Sequence, residues 1–306
     1  MTDRRVLDLF CGAGGLTSGF AKEGFEVTGV DYLPIVKAIF ERNKLGTVKT
    51  TDLHWSTENG GADVVIGGPP CRPWSSLNVT RRHSDHANFR LMARFMTHVL
   101  KNKPRVFLME NVPPAARYAD KLSGRLRKKG YDTNSEIITY SDYGAATSRR
   151  RLILFGSRTS DAPSFFEELH EYKKDPRTVR QAIGDLCSVE CGDYPDHVYP
   201  FLRTIEKYRD RYESGQFGWY HLAWNKPAPS FGNVMKTYTL HPSSWTGSPP
   251  SPPRVISVRE AMSLMGFPRS YSFPPEMGMG QRYQMVVDSV SPVFSHAAAR
   301  VVAEFL

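Results

Sequence analysis

Short β-branched runs that alternate with helical stretches, and end in glycine- or proline-rich turns, restrict the fold of this chain more than any other feature. The runs are Val6–Phe10, Glu26–Asp31, Asp63–Gly67, Arg105–Met109, Ser135–Tyr140 and Arg151–Phe155. Strands alternating with helices read as a mostly parallel, doubly wound α/β sheet covered on both faces. In such sheets ligands sit beyond the carboxyl ends of the strands. Gly12–Gly15, Asp31, Gly68–Cys71 and Glu110 each follow a strand directly and fall at that edge.

The alternation stops after Ser157. Residues from Asp161 to Pro253 are rich in Tyr, Trp, Pro and Ser and end in Ser-Pro-Pro-Ser-Pro-Pro, which reads as a separate, loop-rich piece. Helical spacing of apolar residues returns at Ser257–Met265 and around Val290–Phe305, so the C-terminal segment is able to pack back on the first piece. The length of 306 residues is about twice the ~150-residue prior for one domain. With 40% hydrophobic and 12% aromatic residues the chain can build a sizeable core, which argues against disorder.

No apolar run approaches the ~18 residues that span a bilayer, and the N-terminus leads straight into a strand with no signal-peptide core. A cytoplasmic location is expected. The balance of 40 Lys+Arg against 31 Asp+Glu gives a formal charge of +9, which favours a polyanionic partner, nucleic acid first. Four cysteines (Cys11, Cys71, Cys187, Cys191) are too few for a disulfide scaffold and fit a reducing compartment. No coiled-coil pattern is present, so a monomer is expected.

Asp8-Leu9-Phe10-Cys11-Gly12-Ala13-Gly14-Gly15 is a strand ending in a turn where missing Cβ atoms let a nucleotide-like ligand reach the backbone. Asp31, at the end of the next strand, supplies a carboxylate able to accept both hydroxyls of a ribose. A dinucleotide and S-adenosylmethionine both fit, and a tight turn that binds nothing is the plain alternative. In Gly67-Gly68-Pro69-Pro70-Cys71-Arg72-Pro73-Trp74-Ser75 two prolines hold the thiol on a stiff loop, and Arg72, Arg81 and Arg82 favour its thiolate. Cys71 is a candidate nucleophile or an inert thiol.

Glu110-Asn111-Val112-Pro113-Pro114 places a carboxylate at another strand end, where desolvation would raise its pKa and suit it to proton donation. A surface carboxylate capping a helix is the alternative. In Thr147-Ser148-Arg149-Arg150-Arg151, alternation puts Arg149 and Arg151 on one face, suiting an acidic or carbonyl-bearing substrate, or simply a solvated strand. Cys187, Cys191 and His197 lack a fourth ligand at metal-binding spacing, so no metal is expected.

In this order, the segments resemble those of the DNA cytosine-5 methyltransferase family. The succession is Phe10-x-Gly12-x-Gly14-Gly15, Gly68-Pro69-Pro70-Cys71, Glu110-Asn111-Val112, Arg149-x-Arg151, then Arg259-Glu260 with Gly266-Phe267-Pro268, covering nearly the whole chain. Thr178–Leu186 and Trp224–Ser230 are similar to segments that flank the family's target-recognition region. The resemblance implies a Rossmann-like, S-adenosylmethionine-dependent methyltransferase fold. It assigns 1–175, completed by 254–306, to the catalytic and cofactor-binding domain, and 176–253 to a small loop-rich target-recognition domain.

It also implies roles. Cys71 would add to cytosine C6, Glu110 would hold or protonate N3, and Arg151, assisted by Arg149, would bind O2. For S-adenosylmethionine, Phe10 and Tyr32 would sandwich the adenine, Asp31 bind the ribose and Asp52 read the adenine amino group. Gly12 and Gly14 would line the methionine end, with Pro70, Leu91 and Ser289 in the same site. Residues 72–90 match the catalytic loop that closes over DNA, its Arg72, Ser75, Arg81 and Arg82 meeting the DNA. The substrate would be a flipped-out cytosine in double-stranded DNA, and a cognate restriction endonuclease is a possible partner.

The chain departs from the family at three places. Arg72 replaces a commoner glutamine, Ala146-Thr147 the usual Pro-Gln, and Val287-Asp288 the usual Gly-Asn of the final block. Altered affinity for the cofactor is one expectation from the last. The alternatives in function are a tRNA cytosine-5 methyltransferase with the same chemistry, a non-catalytic DNA-binding relative, and, last, a nicotinamide-dependent oxidoreductase.

Overall fold

The strand–helix alternation closes into one seven-stranded sheet. In chain order it comprises β1 (Arg5–Leu9), α1 (Gly15–Lys22), β2 (Glu26–Asp31), α2 (Ile35–Asn43), β3 (Thr47–Thr50), β4 (Val64–Gly67), α3 (Leu91–Asn102), β5 (Val106–Asn111), α4 (Ala116–Arg127), β6 (Asp132–Thr139), β7 (Arg150–Ser157) and α5 (Ala162–His170). The strands lie in the order β3-β2-β1-β4-β5-β7-β6. The first five pair in parallel, and β7 runs antiparallel to both β5 and β6. This computed structural model describes residues 4–58, 61–74, 86–159, 161–202, 204–216 and 218–306.

β4 and β5 are buried along their whole length, as their continuous apolar character requires of strands covered on both faces. β6, at one edge, is exposed at Asp132, Ser135 and Ile137. On one side of the sheet, Leu7, Val65, Phe107 and Met109 pack against Met92, Phe95 and Val99 of α3 and Ala119, Leu122 and Leu126 of α4. Phe10 and Cys71 lie partly buried against this cluster, so the strand ends and the core meet at both residues.

The chain divides into two compact units, one of Met1–Thr139, Arg150–Lys173 and Pro292–Leu306, the other of Tyr140–Arg149 and Lys174–Ser291. The second unit carries α6 (Val179–Ile183), α7 (Arg209–Glu213), α8 (Val234–Thr237), α9 (Val258–Met265) and α10 (Met279–Asp288). The boundary expected at 254 differs from this division. Every residue of α9 is buried, and the helix packs on α6 and α10, which holds 254–291 in the second unit.

α11 (Pro292–Glu304) returns to the first unit and lies along α1. A Cβ on Gly19 would sit 2.3 Å from backbone atoms of Ser295 and His296, so this helix crossing requires glycine. Ser295 Oγ donates across the same contact to the Leu16 carbonyl.

Candidate active site

β1 ends at Leu9, and the chain turns at once. Phe10 takes a left-handed φ of 62°, and its N–H and that of Cys11 both donate to the Val30 carbonyl, at 2.9 and 3.2 Å. Gly14, at φ 68°, begins α1; a Cβ there would lie 2.4 Å from Leu45 Cδ1. Among the described residues, Gly12, at φ 49°, has only the Phe10 carbonyl, at 4.0 Å, near the place its Cβ would occupy, leaving an open cradle at the turn.

Asp31 closes this turn from β2. Its Oδ2 accepts from Gly12 N at 3.0 Å and its Oδ1 from Leu33 N at 3.0 Å. Burial raises its pKa, while the backbone N–H groups of Leu33, Gly12 and Tyr32 oppose the rise. Each carboxylate oxygen keeps lone pairs for hydroxyl donors. Tyr32 is 65% exposed beside it, and Phe10 is half-buried. This open glycine turn, with a fixed carboxylate and two rings, fits an adenosine-containing cofactor.

Asp52 is exposed and accepts from His54 N at 2.9 Å and faces His54 Nδ1 at 3.0 Å; chiefly the former lowers its pKa. Leu91 is buried at the start of α3, and Pro70 is half-buried.

A group not singled out from sequence lies under the turn. Asp8, 1% exposed on β1, accepts from Thr17 Oγ1 at 2.5 Å, while its Oδ1 has no hydrogen-bond partner among the described residues. Burial raises its pKa to about 7, with Asp31 adding to the rise and Thr17 opposing it. The same burial, with Asp8 and Asp31 nearby, pushes the Cys11 thiol well up.

At the ends of β4 and β5 a second constellation forms. Glu110 and Arg151 are 7% and 8% exposed, and Arg151 Nε lies 2.8 Å from Glu110 Oε1. They meet because β7 runs antiparallel beside β5. Gly68 lies against the same carboxylate, its added Cβ falling 3.4 Å from Oε2. Asn111 Nδ2 donates to the Pro69 carbonyl at 2.9 Å, and its Oδ1 accepts from Val112 N at 2.9 Å. This side chain straps the Gly68–Cys71 loop to the strand that carries Glu110. Cys71 is half-buried and outside any disulfide, its carbonyl accepts from Trp74 N, and Arg72 is exposed.

Trp74 and Phe89 flank the stretch 75–85 and converge on Tyr118 of α4, with ring centroids 5.3 and 4.8 Å from it. Trp74 and Phe89 are therefore both held on one helix. Ser75, Arg81 and Arg82 lie outside the described residues.

Arg149 and Ser289 belong to the second unit. Arg149 is buried and donates to the carbonyl of Val287. Any residue at position 287 supplies that acceptor, so the Val287-Asp288 departure does not remove it. Ser289 Oγ donates to the Val290 carbonyl at 3.1 Å. In the same unit Glu260 is fully buried and takes a bidentate contact from Arg254, at 2.8 and 2.7 Å. Cys187 Sγ lies 4.0 Å from His241 Nε2, and His197 pairs with Ser257; among the described residues no His/Cys/Asp/Glu group is arranged to hold a metal. No helix among them is long and apolar enough to cross a membrane.

A doubly wound sheet with a glycine turn, an acidic residue ending β2 and a thiol loop after β4 has the architecture of the S-adenosylmethionine-dependent methyltransferases. The C-5 cytosine-specific DNA methylase model matches residues 4–304, and the chain belongs to this enzyme family, whose methyl donor is S-adenosylmethionine. Type II methylase M.HgiDII of Herpetosiphon aurantiacus is 27% identical, over 98% of this chain and 94% of its own. Type II methyltransferase M.MthTI of Methanothermobacter thermautotrophicus is also 27% identical, over 98% and 97%. Two solved structures share the fold. A prophage-encoded E. coli protein, described as a DNA modification methyltransferase, has a TM-score of 0.74 at 23% identity over 98% of this chain and 99% of its own. The S. pombe Dnmt2 methyltransferase has 0.72 at 16% identity over 98% of each.

Proposed function

We propose that the protein methylates C5 of a cytosine flipped out of double-stranded DNA at a short recognition sequence, through a covalent bond from Cys71 to C6. The observation that carries this reading is the buried Glu110–Arg151 pair beside a cysteine loop that Asn111 ties to the Glu110 strand.

Cytosine C5 is a weak nucleophile. Addition of the Cys71 thiolate to C6 forms a C–S bond and shifts the C5–C6 π pair so that C5 becomes nucleophilic. Glu110 donates a proton to N3 as the C–S bond forms and takes it back when that bond breaks, and Arg151 donates to O2, so that charge developing in the ring is drawn off. S-adenosylmethionine, when bound, supplies an electrophilic methyl group on its sulfonium. Loss of the C5 proton to a base returns an electron pair to C5–C6 and expels the thiolate. Because a stacked base is out of reach, the cytosine leaves the duplex at a cost of a few kcal/mol.

Asp31 would hold the ribose, Phe10 and Tyr32 the adenine faces, Asp52 the adenine amino group, and Gly12 and Gly14 the methionine end, with Pro70 and Leu91 alongside. Arg72, Ser75, Arg81 and Arg82 would meet the DNA. A paired restriction endonuclease, which the type II names of the relatives support, belongs to the same reading, as do a monomeric state and a cytoplasmic location.

Bisulfite sequencing of the plasmid that expresses the protein tests the reading and reports the recognised sequence. Duplex DNA carrying 5-fluorocytosine at that site is expected to form a denaturation-resistant adduct, lost in Cys71→Ser. Label transfer from S-adenosylmethionine to tRNA but not to any DNA would replace DNA as the substrate. Absence of transfer to both, in folded protein that binds the cofactor, would sink the activity.

A further inference from the structure

Helix α4 carries charge that its fold does not use. Between Ala116 and Lys129 there are six basic residues and one acid, Asp120. Asp120 is taken by Arg127, which also donates to Ser123 and Thr133. Arg117, Lys121, Arg125 and Lys128 are exposed and have no ion pair among the described residues. Their i, i+4, i+8, i+11 spacing sets them on one face, opposite the buried Ala119, Leu122 and Leu126.

Toward the N-terminus this arrangement works against the helix. Like charges four apart destabilise it by about 0.2–0.5 kcal/mol per pair, and a cation in the first turn opposes the macrodipole. The first turn contains Arg117 and no acid. Arg125 and Lys128 suit the C-terminal end of the macrodipole, but folding gives no reason for Arg117 and Lys121 in line with them, whereas a polyanion does. The stripe spans about 16 Å at 1.5 Å per residue, the axial length of roughly five base pairs.

The direction of α4 decides which polyanion segment it meets. β6 runs parallel to β5, since β7 is antiparallel to both, so α4 returns from the carboxyl edge of the sheet to its amino edge. Arg117 stands near the edge that holds Glu110, and Lys128 stands at the far one. The geometry points to a second DNA-docking face: the α4 stripe holds the phosphates of a duplex segment other than the one entering the catalytic pocket. This rests on duplex DNA being the substrate.

The test uses the full chain, Arg117→Gln/Lys121→Gln/Arg125→Gln/Lys128→Gln, and duplexes of two lengths, one only covering the recognition site and one several times longer. The wild type binds the long duplex more tightly, and the quadruple variant loses that preference by about tenfold or more. Its salt slope, d log K/d log[salt], is expected to shrink in magnitude by about three to four for four lost phosphate contacts. Adduct formation on the short 5-fluorocytosine duplex stays within twofold, which separates this proposal from failure of the methyltransferase reading. A charge-keeping variant, Arg117→Lys/Arg125→Lys, retains the long-duplex preference. An unchanged slope and length preference in the folded quadruple variant, or loss confined to tRNA, overturns the proposal.

Discussion

Arg151 Nε and Glu110 Oε1 are 2.8 Å apart, and each side chain is 10% exposed, so the two charges neutralise one another in a nearly water-free setting. Removing either partner has different consequences. Glu110→Gln preserves shape and an oxygen acceptor for Arg151 but loses the acid, and methyl transfer is expected to fall by about 10²-fold or more with folding intact. Arg151→Met takes the guanidinium from a buried carboxylate and is expected to cost about 3 kcal/mol. Single-turnover methylation and denaturant unfolding separate the two; a fully stable Arg151→Met protein would refute the second expectation.

Asn111 holds the loop in place with both ends of its amide. Asn111→Ala leaves the Pro69 carbonyl and the Val112 N–H without that partner, at about 1–3 kcal/mol. The expected outcome is slower adduct formation on 5-fluorocytosine DNA, by tenfold or more, with S-adenosylmethionine affinity unchanged. Equal loss of cofactor affinity would show that the side chain supports the whole sheet edge rather than the cysteine loop.

The strands were legible where β-branched and apolar residues cluster: β2 falls on the residues expected of it, and β5 and β7 within two residues. β3 was not, because Thr47–Thr50 includes Lys49, is mostly exposed and has no apolar alternation to betray an edge strand. Phe10 reads as a strand end by composition, but its left-handed φ puts it in the turn. The importance of Asp8 depends on Thr17 reaching it from α1, and that of Tyr118 on rings from two distant segments, neither of which local pattern encodes. Likewise, helical spacing in 257–265 marked a helix, but the first piece expected to receive it does not: α9 packs on α6 and α10 of the second unit.

The Trp74–Tyr118–Phe89 ring cluster fixes both flanks of 75–85. Tyr118→Ala removes two ring contacts worth about 0.5–1.5 kcal/mol each beyond burial. It is expected to lower kcat several-fold while the Kd for S-adenosylmethionine holds, as measured by calorimetry and steady-state rates. An unchanged kcat would separate the Trp74–Tyr118–Phe89 cluster from turnover.

Asp8 gives the first unit a pH dependence of unusual sign. Its folded pKa of about 7 exceeds the ordinary 3.8, so between these values the native state holds more protons than the unfolded one. Stability from this group therefore declines as pH rises through that window and levels off above it. Asp8→Asn removes the slope. The stability difference, variant minus wild type, is expected to grow from pH 5 to pH 8 in urea titrations; a difference independent of pH would mean that Asp8 titrates normally.

In the second unit the slope is opposite. Burial lowers the His241 pKa from 6.5 to about 4 against the pull of Glu260, whose carboxylate lies 3.5 Å from Nε2. Glu260 itself is pushed up by burial but held down on balance by Arg254 and His241. As pH falls from about 6.5 to 4, the unfolded state takes up a proton on His241 that the native state refuses, so stability falls; loss of the Glu260 charge extends the decline below the ordinary carboxylate range. Glu260→Ala leaves Arg254 without its bidentate partner and is expected to cost about 3–5 kcal/mol at neutral pH. Amide exchange read as opening free energies should show α9 losing protection on acidification. An α9 that keeps its protection down to pH 4.5 would mean that His241 is not held neutral by its surroundings.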